Sequence, residues 1–200
     1  MKTRQAVNRG GKGTTVEMKR FLCMISLFFF TVFLTGCAET TVNVHRHLFK
    51  PDIPASVAGL YKGKQIDLYQ VVNLDKKTHS WTYYNPAKTV AYKASVSLEY
   101  YVMDCFRDAF WSVGMGVLYQ TPETNVPDME LIIDSWTDVE FKFSVLVKKN
   151  DVLSYKNQFV VTMPALETND TAKLEKNAYT MMNKAVVAVL SDKKFLEALK

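Results

Sequence analysis

The sequence predicts an α+β fold in which an antiparallel sheet carries two main amphipathic helices on one face. Residues 98–113 and 172–190 place apolar side chains every three or four positions, the period of a helix with one buried face. Between them, from 129 to 163, apolar and polar residues alternate with a period of two, as in strands with one face on a core. The order strand, helix, strands, helix is typical of α+β sandwiches.

The first half of this domain supplies two strands and a helix. Residues 65–74 alternate loosely before a polar turn, and residues 81–84 form a second, shorter alternation, so each stretch predicts a strand. The helix begins at Ser97, a favourable N-cap, and Gly114 and Gly116 end it. Its predicted buried stripe consists of Leu98, Tyr101, Val102, Cys105, Phe106 and Ala109.

The second half supplies a hairpin and the C-terminal helices. Apolar side chains occupy odd positions from residue 129, a break is expected near 135–138, and the polar residues 149–151 predict the hairpin turn. Asp170 and Thr171 are candidate caps of the helix over 172–190. A last short helix is predicted to contain Phe195, Leu196 and Leu199.

The first 36 residues form a segment of a different kind, which we interpret as a secretory signal. Residues 21–34 are almost wholly apolar and uncharged. A helix of this length spans only about 21 Å, which is short of the roughly 30 Å hydrocarbon core. Lys19 and Arg20 precede the apolar run and small residues follow it, as at a signal cleavage site. Translation from either Met1 or Met18 would include this signal.

The end of the segment, Leu34-Thr35-Gly36-Cys37, resembles the lipobox of bacterial lipoproteins. The resemblance implies that the Cys37 thiol receives a diacylglycerol, that cleavage precedes Cys37, and that an acyl chain such as palmitate is added to the new amine. Ala38 stands where an inner-membrane retention signal of enteric bacteria would place Asp, which implies the periplasmic face of the outer membrane. The other interpretation is an ordinary signal peptide with a chance cysteine.

Removal of the signal changes the charge and the thiol content. The chain has 25 Lys and Arg against 20 Asp and Glu, and residues 1–37 hold six of the basic residues and one acidic residue, so nineteen of each remain. No nucleic-acid partner is expected, because such a partner requires clustered basic residues. Cys105 remains as a single thiol, so no intramolecular disulfide is expected. Residues 37–60 contain two prolines and no sustained periodicity, which predicts a tether before a domain at 61–200.

This layout resembles the small envelope lipoproteins of the YajG type, which share broad architecture with the auxiliary lipoproteins of ABC lipid transporters. The lipobox, the helix 98–113 with Gly114-Met115-Gly116-Val117, the turn at 149–151 and the C-terminal helices carry the resemblance over roughly residues 60–200. The resemblance implies a non-enzymatic envelope role without catalytic residues.

Few residues are arranged for catalysis or for metal binding. His45 and His47 flank an arginine, which opposes a cation, and no Cys, Asp or Glu lies at ligand spacing from them. Asp134, Asp138 and Glu140 would share one strand face, on which i and i+2 neighbours are about 7 Å apart, either as a cation or acid-base site or as part of a solvated sheet face. We expect no metal, no cofactor and no enzymatic activity.

The aromatic residues indicate a binding surface. Tyr100 and Trp111 lie off the buried stripe of the first helix, and their spacing is close to three turns, so they project in nearly the same direction. With Trp81 and Tyr83 they form the candidate surface, either as an exposed patch or as part of an aromatic-rich core. We expect Trp111 to pack inward and Tyr100 to stay exposed.

Together these features predict a lipid-anchored domain that acts by binding. The leading hypothesis is an accessory or structural component of an envelope assembly for transport or secretion, with the membrane and an envelope protein as partners. The alternative is a carrier of a lipid or another apolar ligand. A deep apolar cavity between helices and sheet would favour the carrier, whereas a filled core with an exposed aromatic patch would favour the accessory protein.

Overall fold

Two sheets and two long helices organise the residues that this computed structural model describes, which are 39–119 and 125–200. The strands are β1 (Thr40–Val44), β2 (Gln65–Asn73), β3 (Thr82–Tyr84), β4 (Val90–Ala94), β5 (Gly116–Leu118), β6 (Asp128–Trp136), β7 (Glu140–Lys149) and β8 (Val152–Thr162). The α-helices are α1 (Ala55–Ala58), α2 (Leu98–Ser112), α3 (Thr171–Leu190) and α4 (Lys193–Ala198). The predicted α+β class is confirmed. The predicted signal segment 1–36, its lipobox and Cys37 lie outside the described residues.

The larger sheet has the strand order β5-β2-β6-β7-β8 and is mixed. Strands β6, β7 and β8 are antiparallel as predicted, and the turn between the last two uses positive φ angles at Asn150 and Asp151, residue types that tolerate them. However, β2 pairs in parallel with both β5 and β6, so the sheet is mixed where the sequence predicted an antiparallel one. The physical reason is that α2 forms part of the long connection after β2, and this connection returns the chain to the end of the sheet where β2 began.

The smaller sheet, β1-β4-β3, corrects the predicted tether. Strand β1 pairs in parallel with β4 from Thr40 to Val44, and Val42 and Val44 are fully buried. Just after β1, Arg46 forms an ion pair with Asp104 of α2. From residue 40 onward the predicted tether is therefore part of the domain. The prediction failed because a five-residue strand is too short to show a sustained period, and its pairing partner is distant in sequence.

Aromatic rings fill the core between the sheets and the helices. Trp136, at the end of β6, stacks on Tyr83 of the smaller sheet and also contacts Phe141 of β7. The distance between ring centroids is 4.6 Å in both pairs. The ring contacts continue through Phe143, which meets Phe106 of α2 at 6.0 Å. Both long helices bury their apolar stripes on this side of the larger sheet, as predicted. Within the described ranges, no helix is long and apolar enough to cross a bilayer.

Candidate binding surface

Helix α2 carries the candidate surface, and local signals in its sequence determine where it begins and which face is buried. It begins after Ser97, whose Oγ accepts a hydrogen bond from the Tyr100 N–H at 3.4 Å. The predicted stripe is buried, and Phe110 joins it. The opposite flank of the helix keeps Tyr100 at 64% exposure and Trp111 at 53% exposure. Two large aromatic side chains are thus presented to solvent on one side of a well-anchored helix.

The structure separates the four predicted surface residues. Trp81 is 50% exposed and lies just before β3, where its carbonyl accepts the N–H of Ala94 at 2.9 Å. Tyr83 is only 2% exposed and stacks between Tyr92 and Trp136, so its assignment to the surface is wrong. Pairing of β3 with β4 turns alternate side chains inward, and the ring of Trp136 covers the one at Tyr83.

The expected inward packing of Trp111 is also wrong. Its ring lies beneath the guanidinium of Arg107, with 4.9 Å between the Arg107 Cζ and the ring centroid. Phe106 and Phe110 already fill the buried side of this part of the helix. Trp111 therefore remains at the surface, held by a cation–π contact instead of core packing.

A groove of about 330 Å³ opens beside Tyr100, between α2 and strand β2. Strand β5 pairs only with residues 65–67 of β2, so among the described strands none borders this side of β2 further along. The apolar part of the groove comes from Val71 and Met103, both half-buried. The groove is lined by Gln70, Val71, Glu99, Tyr100, Met103 and Tyr119. This shape can accept an apolar side chain of a partner while polar groups remain at the rim.

Charged hydrogen bonds hold the helix flank between the two aromatics. The guanidinium of Arg107 contacts the carboxylates of Asp104 and Asp108, with an N···O distance of 2.8 Å to each. Burial raises the pKa of Asp104, and the two guanidiniums of Arg107 and Arg46 oppose that shift. Because two carboxylates restrain Arg107, the Trp111 ring beneath its guanidinium is held in a defined position.

The predicted carboxylate cluster does not form a single site. Asp134 accepts hydrogen bonds from Ser144 at 3.1 Å and Gln158 at 3.0 Å. Asp138 is buried and accepts one from the Tyr92 hydroxyl at 3.1 Å, and burial raises the pKa of Asp138. An irregularity in strand pairing after residue 133 interrupts the regular alternation that the prediction assumed.

His45 and His47 lie beside one carboxylate, that of Glu175. The Nδ1 of His45 lies 2.8 Å from Glu175 of α3, so this histidine fastens the N-terminal segment to the helix. No group of three His, Cys, Asp or Glu side chains in residues 39–119 and 125–200 is arranged to hold a metal ion.

Sequence reasoning missed a basic groove at the other end of the molecule, beside the β7–β8 turn. Its volume is about 600 Å³, and the Lys149 Nζ donates a hydrogen bond to the carbonyl of Lys200 at 3.1 Å. We call it the lysine groove, and its charged residues are Lys149, Lys156, Lys194, Lys200 and Glu197. These lysines are scattered along the sequence, so no local charge run could reveal them.

Comparison with known proteins shows a similarity in fold and none in sequence. No family model matches the chain, and no curated protein matches it in sequence. The crystal structure of XCC0632 from Xanthomonas campestris, of the DUF330 family, is similar with a TM-score of 0.61 at 8% identity, covering 79% of this chain and 96% of that one. A crystal structure of an uncharacterized protein gives a TM-score of 0.44 at 10% identity, over 64% of this chain and 94% of that one. The chain thus shares the fold of a DUF330 protein.

Proposed function

We propose that this chain is a lipid-anchored lipoprotein of the bacterial cell envelope, held through Cys37 at the periplasmic face of the outer membrane. Its domain acts as a non-enzymatic accessory or structural protein that binds another protein of an envelope assembly. The sequence Leu34-Thr35-Gly36-Cys37 supports the anchor. The resemblance to envelope lipoproteins of the YajG type supports the accessory role, as an analogy between folds and layouts.

The observation that carries the binding role is the exposed aromatic flank of α2. Tyr100 borders the groove beside β2, and Trp111 is held outward under Arg107. Exposed Tyr and Trp side chains next to a groove are typical anchors of protein interfaces, because they bury a large area with few rotatable bonds. The continuous ring contacts in the core favour this role over a carrier of apolar ligands, because they occupy the layer where a carrier would need a cavity.

The binding role is tested by crosslinking intact cells that express the full-length, lipid-anchored protein and recovering its partners. Tyr100→Ala and Trp111→Ala should each reduce recovery of a specific partner, whereas the matched control Tyr69→Ala should not. Tyr69 is also an exposed tyrosine, at 48% against 64% for Tyr100, but it lines a separate groove with Glu130 and Lys148. If both α2 variants recover the same proteins as the wild type, the aromatic flank is not the binding surface.

The anchor is tested separately by metabolic labelling with a palmitate analogue. Cys37→Ser should accumulate as an unprocessed precursor without label, because the thiol that receives the diacylglycerol is absent. Normal labelling of this variant would refute the anchor. Fractionation of the wild type should place it with outer-membrane markers, and recovery with inner-membrane markers would refute the outer-membrane location.

A further inference from the structure

We propose that one defined end of the domain stands directly on the bilayer, with the lipid headgroups as its binding partner. This end, which we call the anchor end, consists of Thr40, the β3–β4 turn (residues 85–89) and the β6–β7 turn (residues 137–139). The inference rests on the proposed lipidation of Cys37. It adds the orientation of the domain and the surface that meets the membrane.

Only a short stretch of chain connects the lipidated cysteine to the folded domain. Thr40 is the first residue of β1, and its N–H donates to the carbonyl of Thr89 at 2.9 Å. Two residues, Ala38 and Glu39, lie between Thr40 and Cys37, so three Cα–Cα steps of extended chain allow at most about 11 Å between the two Cα atoms. Strand pairing and the burial of Val42 and Val44 prevent the following residues from extending this reach.

Several turns lie at the same end of the domain as Thr40. Parallel pairing places Thr40 beside Val90, directly after the β3–β4 turn. Tyr84, just before that turn, forms a bridge with Thr137. The end of β8 is also here, because the Met163 N–H donates to the carbonyl of Val139 at 2.8 Å. All these segments therefore lie within a short distance of the lipid attached to Cys37.

The end of the domain that contains the β7–β8 turn lies far from the anchor end. Strand β8 runs from Val152 to Thr162, and at about 3.3 Å per residue it spans about 33 Å. The β7–β8 turn is therefore about 30 Å from the anchor end, and Lys156, the lysine of the groove nearest to that end along β8, is about 20 Å from it. A long tether would let anionic lipids attract these lysines to the bilayer. The short link instead forces the lysine groove away from the membrane, so the two orientations are opposite and distinguishable.

The experiment uses the full-length, lipidated protein in vesicles of phosphatidylethanolamine and phosphatidylglycerol that contain a lipid with a nitroxide on its headgroup. A fluorophore is attached to Ala87→Cys in the β3–β4 turn, or to Val152→Cys at the far end, and both positions are exposed. Cys105 is buried and Cys37 carries lipid, so each variant labels at one position. We expect loss of most fluorescence at position 87 and little loss at 152. Equal quenching at both positions, or stronger quenching at 152, would overturn the inference.

A linker variant provides the matched control. Ten Gly and Ser residues inserted between Ala38 and Glu39 would allow an end-to-end distance of about 16–19 Å in addition to the native link. Quenching at position 87 should then fall, whereas unchanged quenching would show that the short link does not set the orientation. Palmitate labelling of each preparation separates the two proposals. An unlabelled wild type refutes the anchor and this inference together, but labelled protein with equal quenching refutes only the orientation.

Discussion

Removal of residues 39–60 tests whether the segment after the lipobox belongs to the folded domain. Without it, a fragment that starts at Tyr61 lacks β1 and three buried apolar side chains, Val42, Val44 and Phe49. Full burial of each such side chain contributes about 1.5–3 kcal/mol, so the fragment loses about 5–9 kcal/mol. This loss is a large part of the free energy of unfolding of a typical domain, which is roughly 5–15 kcal/mol. The loss of the Arg46–Asp104 ion pair leaves a buried carboxylate with one guanidinium partner fewer.

The assay is urea unfolding followed by circular dichroism, with fragments 39–200 and 61–200 compared under the same conditions. Fragment 39–200 should unfold in one cooperative transition, and fragment 61–200 should show no cooperative transition or a strongly lowered midpoint. The point variant Val42→Ala, made in fragment 39–200, should lower the free energy of unfolding by about 1–3 kcal/mol, because it deletes two buried methyl groups.

Val152→Ala is the matched control for Val42→Ala. Val152 is 67% exposed, so its truncation should change the free energy of unfolding by no more than about 0.5 kcal/mol. If fragment 61–200 unfolds at the same urea concentration as fragment 39–200, residues 39–60 are a tether and the packing argument fails.

Three further predictions concern single side chains, each measured by thermal or urea unfolding. Trp111→Ala should cost only about 1 kcal/mol, the size of an exposed cation–π contact with Arg107, and a loss above 3 kcal/mol would show that the ring is part of the core. Tyr83→Ala should cost about 3–5 kcal/mol, because it removes a ring from the middle of a buried stack, and a loss below 1 kcal/mol, roughly, would contradict that burial. Burial raises the pKa of Asp192, but hydrogen bonds from Tyr155 and from the backbone of α4 outweigh it, so the net pKa lies below 3.8. Asp192→Asn should therefore lower Tm at neutral pH, and the difference from wild type should shrink as the pH falls below about 4; a constant difference would refute this linkage.

Part of the candidate surface could be predicted from the helical period alone. The spacing of apolar residues in α2 identifies Tyr100 as lying off the buried stripe, and the structure confirms its exposure. The same pattern does not decide the position of Trp111, because that depends on whether another element covers the end of the helix. Tyr83 was misplaced because a three-residue strand does not indicate which of its faces will meet the ring of Trp136.

The sequence by itself determined the elements whose signals are local. Helices α2, α3 and α4, their caps at Ser97 and Asp170, and the hairpin turn at Asn150 follow from periods and residue types within one segment. The lipobox resemblance is equally local, so the proposed anchor at Cys37 depends on the sequence alone.

Only the tertiary structure decided which strands pair and where the domain begins. Strand β1 is stabilised by β4, by the helices and by the Arg46–Asp104 pair, all from distant parts of the sequence. The same is true of the parallel pairing of β2 with β6. It is also true of the lysine groove, whose residues come from separate elements that the fold brings together. The residues of a short segment show its local period, but they do not show which distant elements will pack against it. For β1, those distant elements supply most of the stabilisation.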